Sequence, residues 1–425
     1  MLLENQTYPR DFRVRREAAA LTAAGYRVSL ICPGDVGQPS REILNGVRVY
    51  RYAGPASANG FLGYVWEYGY SMMASFVLSL KLFFSEGFDV IHAHNPPDTF
   101  VFIAAFYKLF GKRFIFDHHD LSPEMYESRF PGGGSRLVYK TLLFLEKLTC
   151  RLADHVIATN ESYKEIEMER DGVPESRISI VRNGIELHQA CPAKPERVIR
   201  QKGITIIGYV GVMGFQDGVD YLLRALRHLI CDLGRSDFFC VLVGFGDALD
   251  DLKSMTEQFG LTQHVLFTGM VNHAEVPLYL GAADICVAPE PSAPYNDRST
   301  AVKLMEYMSL SKPIVAFDLP EHRHTAQGAA VYARPNDELE FARHIVELMD
   351  DPTRREAMGQ LGHMRMETQL AWDFSVPHLL QAYYALSAPA AARAVLRVGK
   401  RSSSPKPIVV GSPISTEKQG NARAL

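Results

Sequence analysis

The sequence predicts an α/β chain built as two consecutive doubly wound domains that face each other across a cleft. Three observations carry this. Short runs rich in Val, Ile and Phe alternate with longer amphipathic stretches, the pattern βαβ units produce. The alternation comes in two series separated by a polar segment with two prolines. At 425 residues and 47% hydrophobic side chains, the chain is too large for one small binding module and apolar enough for two cores.

The elements follow in order. An opening strand has only Met1 to Glu4 to form from, because Gln6-Thr7-Tyr8-Pro9 breaks the run. Further strands are expected at Val28 to Cys32, Val47 to Tyr52, Val90 to Ala93, Arg113 to Asp117, His155 to Thr159 and Ile178 to Val181. These make an N-terminal domain over residues 1–190. The stretch QACPAKPERVIRQKG (189–203) has no sustained apolar period, and 191–203 is taken as the linker. The second series, 204–370, has strands at Ile204 to Val210, Phe238 to Val243, Val265 to Thr268, Ile285 to Ala288 and Pro313 to Ala316, with a late run at Ala330 to Tyr332. A terminal helix over 371–386 is expected to pack back on the first domain. From 387 to 425, seven basic residues meet one acid, Glu417, among serines and prolines, so this tail is expected to be disordered.

Composition excludes several functions. The formal charge of −3 provides no positive field for a nucleic-acid backbone. The six cysteines, Cys32, Cys150, Cys191, Cys231, Cys240 and Cys286, form no CxxC pair and mostly sit in apolar runs, as reduced core residues of a cytoplasmic protein do. Met1 to Asn5 lacks the basic start and apolar stretch of a secretory leader. The longest apolar region, about Tyr70 to Phe84, contains Lys81 and falls short of the roughly 20 residues a bilayer span requires.

Chemistry concentrates in Pro289 to Met308. A strand ends near Ala288, a proline-rich loop follows, and a helix is expected to start near Ser299 or Thr300. Its free amides, at Ser299, Thr300 and Ala301, form an anion site with Arg298 and Lys303 beside it. Glu306, two turns in, suits a pair of neutral hydroxyls such as a ribose offers. The competing account is a capped surface helix with an exposed Lys303–Glu306 pair. Gly244 and Gly246 follow a strand where backbone passes close to a ligand or simply turns tightly. Arg10, Arg13, Arg15 and Arg16 open the first long helix, either as a solvated face or with Arg13 at the cleft. His92, His94, His118 and His119 could be grouped as metal ligands, but no DxD motif accompanies them. The aromatic segment Phe61 to Phe84 is either core or a contact for a lipid-linked acceptor at a membrane.

Taken together, Asp11-Phe12-Arg13-Val14-Arg15-Arg16-Glu17-Ala18, Phe88-Asp89-Val90-Ile91-His92-Ala93-His94-Asn95, Asp117-His118-His119-Asp120, Gly208-Tyr209-Val210-Gly211, Gly244-Phe245-Gly246-Asp247 and Lys303-Leu304-Met305-Glu306-Tyr307-Met308 resemble, in order and spacing, the retaining glycosyltransferases of family 4. The resemblance covers about residues 1 to 386, and the nearest branch in appearance is the one found in bacterial surface-polysaccharide clusters. It implies the GT-B fold, a nucleoside-diphosphate sugar donor, expected to be a UDP-sugar, a glycan or polyprenyl-linked acceptor, and no metal. It also implies a cytoplasmic protein able to contact the inner face of the plasma membrane.

By the same resemblance His119 faces the transferred sugar, Glu306 holds the ribose, and Gly211 and the Gly244–Gly246 turn lie near the nucleotide. Arg13 would touch phosphate. Two departures stand out: Arg298 replaces the first acid of the EX7E element, and Val212 and Asp217 stand where the family usually has diphosphate-binding cations. The expectation is that Arg298 and Lys303 supply the missing charge. A GT-B sugar-nucleotide 2-epimerase and a degenerate nucleotide-sugar-binding protein are the alternatives.

Overall fold

The computed structural model describes residues 1–55, 60–130, 134–186, 204–272 and 274–387. The expected linker 191–203 with Cys191, the side chains of Phe61 and Tyr64, and the tail beyond Ser387 lie outside the described residues.

The first domain holds strands β1 (Ser29–Gly34), β2 (Arg41–Leu44), β3 (Val47–Ala53), β4 (Val90–His94), β5 (Arg113–His118), β6 (His155–Ala158) and β7 (Ile178–Ile180). They form two ladders, β2-β3-β1 and β4-β5-β6-β7. One residue joins them: Leu2 bridges in parallel to Ile31 of β1 and to Ala93 of β4. Its N–H donates to the His92 carbonyl (2.8 Å), and its own carbonyl accepts from His94 N–H (3.1 Å). The cramped opening run is therefore too short for a full strand yet occupies the centre of the sheet. Strand β2 goes beyond the expected set. It pairs antiparallel with β3 across Asn45-Gly46, both at positive φ (50° and 84°), as a tight hairpin turn demands.

The second domain is a parallel sheet in the order β10-β9-β8-β11-β12-β13, from β8 (Thr205–Val210), β9 (Phe238–Val243), β10 (Val265–Gly269), β11 (Ile285–Ala288), β12 (Ile314–Phe317) and β13 (Ala330–Ala333). Chain direction across the sheet reverses between β8 and β11, which opens a crevice at their carboxyl ends. Helix Val302–Ser309 leaves β11 at this point. It begins later than expected, with Ala301 as an extended N-cap that offers no side-chain bond. The hydroxyls of Ser299 and Thr300 are instead turned to the first domain.

Each sheet is sandwiched between helices, and the apolar clusters lie on both faces of each. Helix Trp372–Ser387 leaves the second domain and packs on the first, where Trp372, Leu379, Tyr383 and Leu386 join Val14, Ala18 and Leu30 in one core. The cysteine expectation needs one correction. Cys32, Cys150, Cys240 and Cys286 are buried thiols, but Cys231, the last residue of helix Val219–Cys231, is exposed.

Candidate active site

The first half of the site is organised around one buried carboxylate. Asp117, the penultimate residue of β5, has no exposed surface. Arg13 grips it with both ends of its guanidinium, Nε to Oδ2 at 2.7 Å and Nη2 to Oδ1 at 2.6 Å. His94 Nδ1–H donates to the same carboxylate at 2.8 Å, and His119 Nδ1 lies 3.4 Å away. Burial works against ionisation of Asp117, but Arg13 and the imidazoles outweigh it and hold the carboxyl well below its usual range. Burial also opposes charge on His119, yet Asp117 raises its pKa above the ordinary value and favours an imidazolium. Asn95 Oδ1 fixes the loop by accepting from the His119 and Asp120 amides (2.8 and 3.1 Å).

Arg13 does not serve as the phosphate contact expected of it. Its Nη1 donates to the Val181 carbonyl (2.9 Å) and to Asn183 (2.7 Å), and its Nη2 also lies 3.3 Å from Glu17. Four hydrogen bonds and an ion pair to Glu17 hold the guanidinium within the protein, so Arg13 is a clamp. Arg16, one turn further along the same face, lines the cleft and donates to the Gly184 carbonyl at 2.6 Å. The i,i+3 spacing of the two arginines was the signal for Arg16, lost in a run that reads equally as a solvated face.

The second half is helix Val302–Ser309. Glu306 faces the cleft, and burial raises its pKa against the lowering effect of Lys303 and Arg16. Lys303 is tied inside the domain. Its ammonium pairs with Glu290, donates to Tyr209 OH (3.1 Å) and lies 4.0 Å from Asp217. Burial disfavours its charge, but these partners, Glu290 first, keep it protonated. Arg298 runs against the expectation of a diphosphate cation: it is outside the cavity lining, its partner is Glu124 of the first domain (3.4 Å), and its side chain is 45% exposed.

The glycines have a packing role. A Cβ on Gly244 would sit 1.9 Å from the Gly211 carbonyl oxygen, and one on Gly246 would sit 2.5 Å from that of Met213. The close approach is backbone to backbone between the ends of β8 and β9, with Lys303 Nζ 3.0 Å from where a Gly211 Cβ would lie.

Between the halves lies a cavity of about 350 Å³. His119, Arg13, Arg16 and Asn183 line one side, and Glu306 and Val302, with Val276 and Pro277, line the other. Of the expected residues it gathers His119, Glu306 and Arg13. Lys303, Gly211, Gly244, Gly246, Ser299, Thr300, Ala301 and Arg298 are outside its lining.

Among the described residues, Glu17, His92, His94 and Asp117 bring potential metal-ligand atoms within 4.8 Å of one another. Arg13, bonded to both Asp117 oxygens, already supplies a positive charge there. Burial, then Asp117, raises the Glu17 pKa and favours its neutral acid. The cluster is balanced by a guanidinium and a proton, and no ion is assigned to it.

Comparison with known proteins agrees with this geometry. Residues 13–189 match the family model described as Glycosyltransferase Family 4, and residues 204–351 match Glycosyl transferases group 1. The chain is 24% identical over 378 residues to an uncharacterized glycosyltransferase of Methanocaldococcus jannaschii, covering 86% of this chain and 91% of that one. It is 23% identical to a glycogen synthase of Mycobacterium tuberculosis, with 88% and 90% covered. In structure it resembles sucrose-phosphate synthase from Thermosynechococcus elongatus (TM-score 0.74, 18% identity, 90% and 95% covered). It also resembles an Anabaena protein solved with UDP and glucose (TM-score 0.67, 17% identity, 91% and 99% covered). Two facing Rossmann-like sheets, each matched by its own glycosyltransferase model, make this chain an enzyme of the GT-B glycosyltransferases, and it belongs to their family 4.

Proposed function

We propose that the enzyme transfers a sugar, with retention, from a UDP-sugar to a hydroxyl of a glycan or polyprenyl-linked acceptor. The observation that carries this is Glu306 opposite His119 across one cavity at the carboxyl ends of both sheets. In this reading Glu306, which lines the cavity, accepts from the two ribose hydroxyls. The amide at Val302 and the charges of His119 and Arg16, which line the same cavity, favour a diphosphate between them. The UDP bound by the Anabaena neighbour favours uracil over other bases.

In the reaction the bond from the sugar C1 to the diphosphate oxygen breaks as the acceptor oxygen bonds C1 on the same face. The acceptor proton passes to the departing phosphate oxygen. His119 stabilises charge and positions the sugar; no protein nucleophile is invoked.

A lipid-linked acceptor also fits the outer surface. No helix among the described residues is long and apolar enough to cross a membrane. However, helix Gly60–Ser85 exposes Trp66, Met73, Val77 and Phe84 at helical spacing, and Leu109, at the end of helix Phe100–Lys108, and Leu137, on helix Arg136–Leu152, are exposed as well. Arg136, Lys140 and Lys147 follow on helix Arg136–Leu152. An apolar face flanked by bases suits peripheral contact with an anionic bilayer.

The test is a thermal-shift panel with UDP, GDP, ADP and CMP, followed by NMR of the anomer formed from a UDP-sugar. A UDP-selective shift that Glu306→Ala weakens about tenfold in affinity is expected. His119→Ala is expected to lower turnover about 100-fold with a much smaller loss of donor affinity. Absence of any nucleotide response, or an inverted product, would overturn the proposal.

A further inference from the structure

The loop that delivers the donor-side helix is held by the opposite domain. Residues 289–301 connect β11 to helix Val302–Ser309, and four of them, Tyr295, Arg298, Ser299 and Thr300, make cross-domain bonds before its first turn. Asn160, at the end of β6, donates Nδ2–H to the Arg298 carbonyl at 2.7 Å and to Thr300 Oγ1 at 2.9 Å. Tyr163 OH lies 3.3 Å from Ser299 Oγ. Ser162 Oγ donates to Glu321 Oε1 at 2.6 Å, and Thr300 Oγ1 donates to the other oxygen of Glu321 at 3.4 Å. Tyr295 OH donates to Asp120 at 3.3 Å.

Asn160 is the centre of this seam. It is fully buried, and its Oδ1 accepts from Tyr163 N–H at 2.8 Å as the N-cap of helix Glu161–Glu169. With Oδ1 committed to the cap, the amide group has one orientation, and both its N–H groups point across the domain boundary. The donor-side helix has no cap of its own from Ala301. Thr300, the residue before that cap, is held by Asn160 and Glu321.

We infer that Asn160 is a positioning residue that completes the donor site only when the two domains are closed. Resting on the reading that Glu306 and the Val302 amides hold the donor, this couples donor binding to closure onto the acceptor domain. In the open state Arg298–Thr300 lose these bonds and the start of the donor-side helix is unrestrained. The two N–H donors do the work, so a carboxylate of the same shape is the decisive change.

Asn160→Asp keeps the helix cap but faces an oxygen against the Arg298 carbonyl. It is expected to fold like wild type, to raise donor KM about tenfold and to lower kcat, because restraint of the helix is lost in both ground and transition states. Protonation restores one donor. The activity of Asn160→Asp relative to wild type should therefore rise as pH falls from 8 to 5.5, which a purely structural defect would not produce. Thr300→Val, which removes the partner hydroxyl from the other side, should give a smaller loss without the pH recovery, and decides the matter if Asn160→Asp folds poorly. Wild-type donor KM and kcat in both variants would overturn the inference while the donor site stands. A wild type that gives no thermal shift with UDP would overturn the donor reading, and the coupling with it.

Discussion

At the scale of the residue, the site depends on which charges are satisfied by protein and which face the cavity. Arg13 is the clearest case. As a clamp on Asp117 its loss leaves a buried carboxylate without its main partner, so Arg13→Met should destabilise the fold by about 3–5 kcal/mol in denaturant melts. A phosphate-binding arginine would leave stability nearly unchanged. A second buried cluster lies behind the site, where His118 Nδ1–H donates to Glu167 (3.2 Å) and its Nε2 lies 3.6 Å from Glu146. Burial raises the Glu167 pKa to about 7, against the lowering effect of His118. Between about 4.5 and about 7 the folded chain keeps a proton that the unfolded chain has released, so stability falls as pH rises through that window. Glu167→Gln removes this group's titration. Its stability relative to wild type should grow by up to about 3 kcal/mol from pH 4.5 to 7, and parallel pH curves would exclude the effect. The sequence offered Glu306 through its place two turns into the helix after a strand end, and His119 through the resemblance to the family. It could not show that Arg13 was consumed by Asp117, 104 residues away.

At the scale of the element, local rules and tertiary context divide the credit. The alternation of apolar runs located twelve of the thirteen strands among the described residues. Strand β2 was missed although Asn45-Gly46 is a strong hairpin signal, because Arg41–Leu44 lacks a long apolar run. The donor-side helix was placed early for a related reason. Ser299 and Thr300 are good caps, but their hydroxyls have partners across the domain boundary, and the cap falls to Ala301. Ala301→Ser should consequently stabilise the helix by about 1 kcal/mol in thermal melts while weakening UDP binding, because the new hydroxyl takes up a first-turn amide that the proposed donor site offers to the ligand. Gain in both properties would remove those amides from the donor site.

At the scale of the whole molecule, the two domains line one cavity between them. Helix Trp372–Ser387 returns to the first domain, where Tyr383 OH lies 2.9 Å from His92 Nδ1, and so ties the end of the second half to the centre of the first sheet. The proposed membrane contact belongs to this scale too, because its exposed apolar residues come from separate helices. Wild-type protein should sediment with vesicles containing anionic lipid and not with zwitterionic ones. Phe84→Glu combined with Leu109→Glu should abolish the sedimentation and leave activity on a soluble acceptor intact. Unchanged vesicle binding would assign another role to those residues.

The sequence by itself determined the class of fold, the two-domain plan, the family and the strand ends where the site lies, because these follow from short-range periodicity and from motif order along the chain. Only the tertiary structure decided which charges serve the site. Arg298 and Lys303 sit beside the expected anion site in sequence, yet their partners, Glu124 and Glu290, are chosen by packing across space. Coulombic pairing depends on distance and burial, and neither is written in the local order of residues.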